Sequence, residues 1–161
     1  MNLFSIRPAR EEESDKVLSF IKKIADYERL SHEVINSEEL LHENVFRKKY
    51  AEVYFLQENQ HVFGFVLFFF TYSTFTGKPT LYIEDLFIDE PFRGKGYGRE
   101  TFNHMAKLAI ERGCARMEWI VLDWNEQALR LYRAIGAEGL EEWTVQRLCG
   151  QALENMAAKA S

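Results

Sequence analysis

Apolar and polar positions along the chain fall into two rhythms. "LFSIRPA" alternates between them and ends at Pro8, which predicts a first strand. Val17, Phe20, Ile21, Ile24 and Tyr27 then recur at helical spacing within "REEESDKVLSFIKKIADYERL". A second helix is predicted from Asn36, where Asn36 and Glu39 can form a capping box ahead of Leu40 and Leu41. "AEVYFLQE" and "HVFGFVLFFFTY" read as two strands joined by Asn59 and Gln60, and the β-branched and aromatic content of the second predicts burial on both faces. Gly77 and Pro79 break the chain before the strand "TLYIEDLFID", whose pairing stops at Pro91. From Tyr97 the pattern is helical through Phe102, Met105, Ala106, Ala109 and Ile110, ending at Gly113. "ARMEWIVLD" is a strand, "NEQALRLYRAIGA" a helix capped by Asn125 and closed by Gly136, and "EWTVQRL" a last strand before a short helical tail. The order is β-α-α-β-β-β-α-β-α-β. No repeat, linker or low-complexity segment interrupts it, so residues 1–161 form a single mixed α/β domain.

Composition narrows the function classes. Apolar residues make up 47% and charged residues 28%, a balance suited to a soluble globular core, and thirteen Phe and seven Tyr make that core aromatic. A net charge of −5 without a basic run repels polyanions, so no nucleic-acid partner is expected. The opening "MNLFSIRP" carries no export signal, and the longest apolar run, Val62 to Phe70, falls far short of the roughly 20 residues a membrane helix needs. A cytoplasmic protein with no membrane partner is expected. Cys114 and Cys149 show neither CxxC nor metal-ligand spacing and are expected as free thiols. His32, His42, His61 and His104 form no ligand pattern, so no metal is expected; Trp119, Trp124 and Trp143 read as core or interface residues.

One stretch asks for a ligand. In "EPFRGKGYGRETF" the glycines Gly94, Gly96 and Gly98 lie two apart, between a predicted strand and a predicted helix. The first amides of that helix lack intrahelical partners, and glycines let a ligand approach the backbone closely, which makes an anion site. The spacing GxGxG matches neither the dinucleotide fingerprint GxGxxG nor the phosphate loop GxxxxGK. The bend either holds a diphosphate or merely connects strand to helix.

"RGKGYG" after "YIEDLFID" resembles motif A of the GCN5-related N-acetyltransferases, in which an Arg or Gln precedes a glycine loop that grips the pyrophosphate of acetyl-coenzyme A. "IRPA", "DYERL", "LYIEDLFI", "VLDWNEQALRLYRAIGA" and "EWTVQRLCG" extend the likeness over about residues 6 to 150, toward the spermidine/spermine (diamine) and thialysine N-acetyltransferase branch. The resemblance implies a twisted mixed sheet flanked by helices, acetyl-CoA as cosubstrate, a small-molecule amine as acceptor, and a homodimer.

It also implies roles for particular residues. An alkyl amine with a pKa of about 10.4 is protonated at neutral pH, so attack on a thioester needs a base, and the departing thiolate is helped by an acid. By its match to "LED" in the polyamine enzymes, Glu84 is the candidate base; mid-strand, Glu84 and Asp85 either point at least one carboxylate into a cleft or the core, or both sit solvated at a splayed strand end. Tyr132 is the candidate acid and a coenzyme contact, or simply a core residue of its helix. Asn125, seven residues earlier near the same helical face, is a coenzyme contact or simply a helix cap. The backbone of Leu86, Phe87 and Ile88 would run beside the pantetheine arm, while Arg93, Gly94, Lys95, Gly96, Tyr97, Gly98 and Arg99 would surround the phosphates, with Arg93, the motif residue, ahead of Arg99 as a phosphate partner; the alternative is that the two arginines are simply solvated. Tyr27 and Glu28 match the "YE" of the amine site, where Glu28 holds a second cationic group or is a solvated helix end; Glu84 and Asp85 complete the acidic lining. "YSTFTGK" places Ser73 and Phe75 where the polyamine branch has an acid followed by Pro-Trp, which counts against long polyamines. Acetylation of a protein N-terminus or lysine, and sensing of acetyl-CoA without turnover, remain the alternatives.

Overall fold

A computed structural model describes residues 3–160. The chain runs β1 (Phe4–Pro8), α1 (Ser14–Tyr27), α2 (Glu38–Leu41) with a π-helical turn (His42–Arg47), β2 (Glu52–Glu58), β3 (His61–Ser73), β4 (Lys78–Ile88), α3 (Tyr97–Glu111), β5 (Arg116–Trp119), α4 (Glu126–Ala134) and α5 (Gly150–Ala157). The strands lie side by side in chain order, with the first three pairings antiparallel and β4–β5 parallel. Asn59 (φ 46) and Gln60 (φ 72) are both left-handed, as a two-residue turn matching the twist of the β2–β3 hairpin requires. A parallel pair needs a crossover, and α3 supplies it.

Two hydrophobic layers enclose the sheet. On one side Val17 and Phe20 of α1 pack on Phe55, Phe65, Leu67 and Phe87, with the Phe20 and Phe65 rings stacked at 5.4 Å. On the other, Phe102, Met105 and Ala109 of α3 cover Leu56, Val66, Phe68, Leu81 and Ile83. Because β3 faces both layers, Phe63 to Phe68 are buried without a break, and each fully buried Phe contributes about 1.5–3 kcal/mol.

Two irregularities re-aim side chains. Leu56 pairs with Gly64 and Gln57 with Val62, so Phe63 drops out of the ladder and stacks on Phe92 at 4.2 Å. In β4, Asp85 pairs with Leu67 and Ile83 with Phe68, so Glu84 is the extra residue of a bulge.

The structure corrects several expected elements. "EWTVQRL" forms no strand among the described residues; Trp143 (79% exposed) and Val145 (73%) extend into solvent because alternation alone makes no strand without a ladder partner. "ARMEWIVLD" pairs only over Arg116–Trp119, since β4 and β5 part after Ile83. Ser37, not Asn36, caps α2: its Oγ accepts from the Leu40 amide (3.2 Å), while Asn36 Oδ1 accepts from the Ser37 amide (2.9 Å). Pro79 lies within β4 opposite Tyr72 instead of breaking the chain. Its carbonyl accepts from the Ala115 amide on the β5 side, so its missing N–H falls where β5 has not yet begun.

Candidate active site

The site arises where the sheet comes apart. β4 and β5 are paired only from Thr80 opposite Arg116 to Ile83 opposite Trp119. Beyond that point the bulge at Glu84 bends β4, which continues to Ile88 with the edge facing β5 unpaired. A cleft of about 420 Å³ fills the gap, lined by Glu84 and Leu86–Ile88 from β4, by Trp119 at the end of β5 and residues 120–122 beyond it, and by Asn125 and Tyr132. An extended chain with amide groups can pair with such an edge as an added strand.

At one end of the cleft a 3-10 turn (Glu90–Phe92) with Pro91 leads into the glycine loop. Gly94 (φ 74) and Gly96 (φ 89) occupy left-handed backbone that a side chain would strain. Gly96 is the N-cap of α3 and no side chain caps that helix, so its first amides and the positive end of its dipole are free for an anion. Gly98 serves a different purpose: a Cβ there would stand 3.1 Å from Leu131 Cδ2, so glycine lets α3 approach α4. Lys95 Nζ lies 5.0 Å over the Phe92 ring, and Lys95 and Arg99 are exposed beside the loop. Arg93 turns its Nε to the Ile88 carbonyl (2.7 Å) and stands over the rings of Tyr27 (5.0 Å) and Phe87 (5.2 Å).

Carboxylates gather on the other wall. Glu28, at the C-terminal end of α1, and Glu84 both line the cleft. The bulge leaves Glu84 exposed in the cleft lining, whereas Asp85 turns inward and is half-buried. Asp85 is not part of the lining. Removal from water, then the charges of Glu84 and Glu28, raise its carboxyl to about 7. Glu28 is raised by burial and by Glu84. Such an environment is relieved by an incoming cation.

α4 supplies the remaining groups. Asn125 caps it, its Oδ1 accepting from the Ala128 amide (3.2 Å), and the same oxygen accepts from the Tyr27 hydroxyl (3.4 Å). Tyr132 is held edge-on between Phe102 (5.5 Å) and Trp119 (5.2 Å). Burial, then Glu28 and Tyr27, raise its phenol, so it carries its proton at neutral pH and can donate it. Ser73 and Phe75 lie elsewhere: Ser73 Oγ accepts from the Thr76 amide, and Phe75 is 99% exposed.

Most of the sequence-based candidates thus line one cleft; Asp85 and Lys95 are outside its lining. Sequence reasoning missed Trp119 and Phe92, as well as Trp124, which packs on Tyr27 at 5.9 Å. Their signal was position alone, at or just after the end of a strand or before the glycines. Among the described residues no group of three or more metal-ligating side chains occurs, and no helix is long and apolar enough to cross a membrane.

The sequence model of the Acetyltransferase (GNAT) family matches residues 18–137. The chain is 34% identical to a thialysine N-epsilon-acetyltransferase of Bos taurus, over 99% of this chain and 100% of that protein. It is 47% identical to an L-ornithine N5-acetyltransferase of Arabidopsis thaliana, over 58% of this chain and 41% of that one. Among solved structures, an integron cassette protein from the mobile metagenome of V. cholerae superposes with a TM-score of 0.79 at 28% identity, covering 98% of each chain.

Proposed function

The chain belongs to the Acetyltransferase (GNAT) family, and from that premise we propose that it transfers acetyl from acetyl-CoA to a primary amine of a small diamine, polyamine or lysine-like amino acid. The observation that carries this reading is the interrupted β4–β5 ladder, with an amide-rich anion loop at one end of the gap, a bulged carboxylate in its wall and a protonated tyrosine facing them. The name of the thialysine N-epsilon-acetyltransferase, matched over its full length, supports an amine acceptor of this size.

The residues divide the work as follows. The amides of Leu86–Ile88 pair with the pantetheine arm, and those at the start of α3 receive the phosphates. Glu28 holds a second ammonium of the acceptor. Glu84 takes the proton of the reacting ammonium, directly or through a water, and the free amine attacks the thioester carbonyl. As the C–S bond breaks, Tyr132 gives its proton to the departing sulfur; the second proton, shed by the nitrogen as it becomes an amide, restores the phenol, and the one held by Glu84 passes to water. The products are the N-acetyl amine and free CoA thiol.

Exposed Leu140, Trp143, Val145 and Leu148 on the unpaired tail, with Leu153 and Met156 on α5, support a homodimer that covers them, which light scattering tests. Two unpaired cysteines, Cys114 buried and Cys149 exposed, support a reducing, cytoplasmic setting.

Thiol release from acetyl-CoA across panels of small amines and of peptides tests the reading. Release with diamines or basic amino acids is expected. Release with peptides alone would point to a protein acetyltransferase, and binding of acetyl-CoA without release under any amine would point to a sensor.

A further inference from the structure

Arg93 precedes the glycine loop, where a phosphate ligand would stand, yet its side chain is engaged elsewhere. Its Nε donates to the carbonyl of Ile88, the last residue of β4, at 2.7 Å. The guanidinium lies 5.0 Å over the ring of Tyr27 and 5.2 Å over that of Phe87. A planar fork can donate along its edge and stack on aromatic faces at once; an ammonium, a compact point charge, cannot do both. Tyr27 in turn donates to Asn125 Oδ1, the atom that caps α4, and α4 carries Tyr132.

Resting on the acetyl-transfer reading above, we propose that Arg93 is a positioning residue for the acceptor amine: it holds the Tyr27 ring, and through Tyr27 and Asn125 it ties the coenzyme loop to the helix that bears the acid. Loop, amine wall and acid helix thereby share one connected set of contacts across the mouth of the cleft. Its effect on catalysis passes through Tyr27, not through the coenzyme phosphates.

Steady-state kinetics of Arg93→Ala, Arg93→Lys and Tyr27→Leu, with acetyl-CoA and with S-acetylpantetheine, which has no phosphates on its pantetheine, test this. Arg93→Ala is expected to raise the KM for the amine about 10-fold while that for acetyl-CoA moves less than about 3-fold, and Arg93→Lys not to rescue it. The fold-loss should be the same with the truncated donor, and Tyr27→Leu should reproduce it, with the double variant no worse than either single one. A raised KM for acetyl-CoA with the amine KM unchanged, or a defect that disappears with S-acetylpantetheine, would make Arg93 a phosphate ligand and overturn the proposal. Should Arg93→Ala not fold, Arg93→Lys decides alone: wild-type kinetics would overturn the assignment. A wild-type protein without amine-dependent thiol release would instead sink the acetyl-transfer reading; calorimetry then decides for Arg93, since acetyl-CoA affinity should be equal in wild type and Arg93→Ala.

Discussion

Asp85→Asn should make the protein more stable at pH 8 and leave it nearly unchanged at pH 4. The Asp85 carboxyl titrates at about 7 instead of 3.8 because it is withdrawn from water and faces Glu84 and Glu28. A folded-state value above the unfolded one means that the folded chain holds this proton more tightly. Below about pH 4 both states are protonated and nothing is lost; stability then falls as pH rises to about 7 and is flat beyond. At about 1.4 kcal/mol per pH unit, the cost at pH 8 has an upper bound of about 4 kcal/mol, and local relaxation around three carboxylates brings the expected gain on substitution to about 2–3 kcal/mol. Urea unfolding of both proteins at pH 5, 6, 7 and 8 measures it, since differences cancel the titrating groups that do not interact with Asp85. The gain should grow steadily with pH, and a diamine should stabilise the wild type at pH 8 more than it stabilises Asp85→Asn. A difference independent of pH would mean that Asp85 is solvated and ionised throughout, and would remove the electrostatic argument for a cation at this wall.

Other substitutions probe separate parts of the molecule. Tyr132→Phe should lower kcat about 100-fold while both KM values stay within about 3-fold, because the lost proton serves only the departing sulfur; equal loss in kcat and in acetyl-CoA affinity would contradict that. Gly98→Ala places a methyl 3.1 Å from Leu131 Cδ2 and should cost about 1 kcal/mol in urea unfolding, with a drop in kcat as α4 shifts. The buried Glu13 is held by both Arg7 amino groups at 2.8 Å and by the Arg10 amide, which lower its carboxyl to about 2. Glu13→Gln should therefore cost about 3 kcal/mol at pH 7, a loss that shrinks as pH falls from about 4.5 toward 2.

Local rules made much of this legible. The alternating and helical rhythms located most elements, because half-buried strands and amphipathic helices imprint their burial on the sequence. Asn125 and Gly136 mark the ends of α4 through chemistry that acts within one turn. The glycine loop was visible for the same reason. What escaped depends on partners distant in the chain. "EWTVQRL" has the pattern of a strand but no edge to pair with, and "ARMEWIVLD" stops pairing at Trp119 because β4 bends away at Glu84. The bulge itself, which separates the roles of Glu84 and Asp85, is a property of the β3–β4 register and leaves no mark in "IEDLF". Arg93 was expected at the phosphates on its place in the motif, whereas its contacts to Ile88 and Tyr27 follow from the packing of α1 against the end of β4.

Amide hydrogen exchange with and without saturating acetyl-CoA bears most directly on the parted strands as the coenzyme's seat. Slower exchange at Leu86–Ile88 and at the first turn of α3 around Gly96–Arg99, with little change in β1 and β2, is the predicted result. Tight binding that leaves those amides unprotected would contradict it.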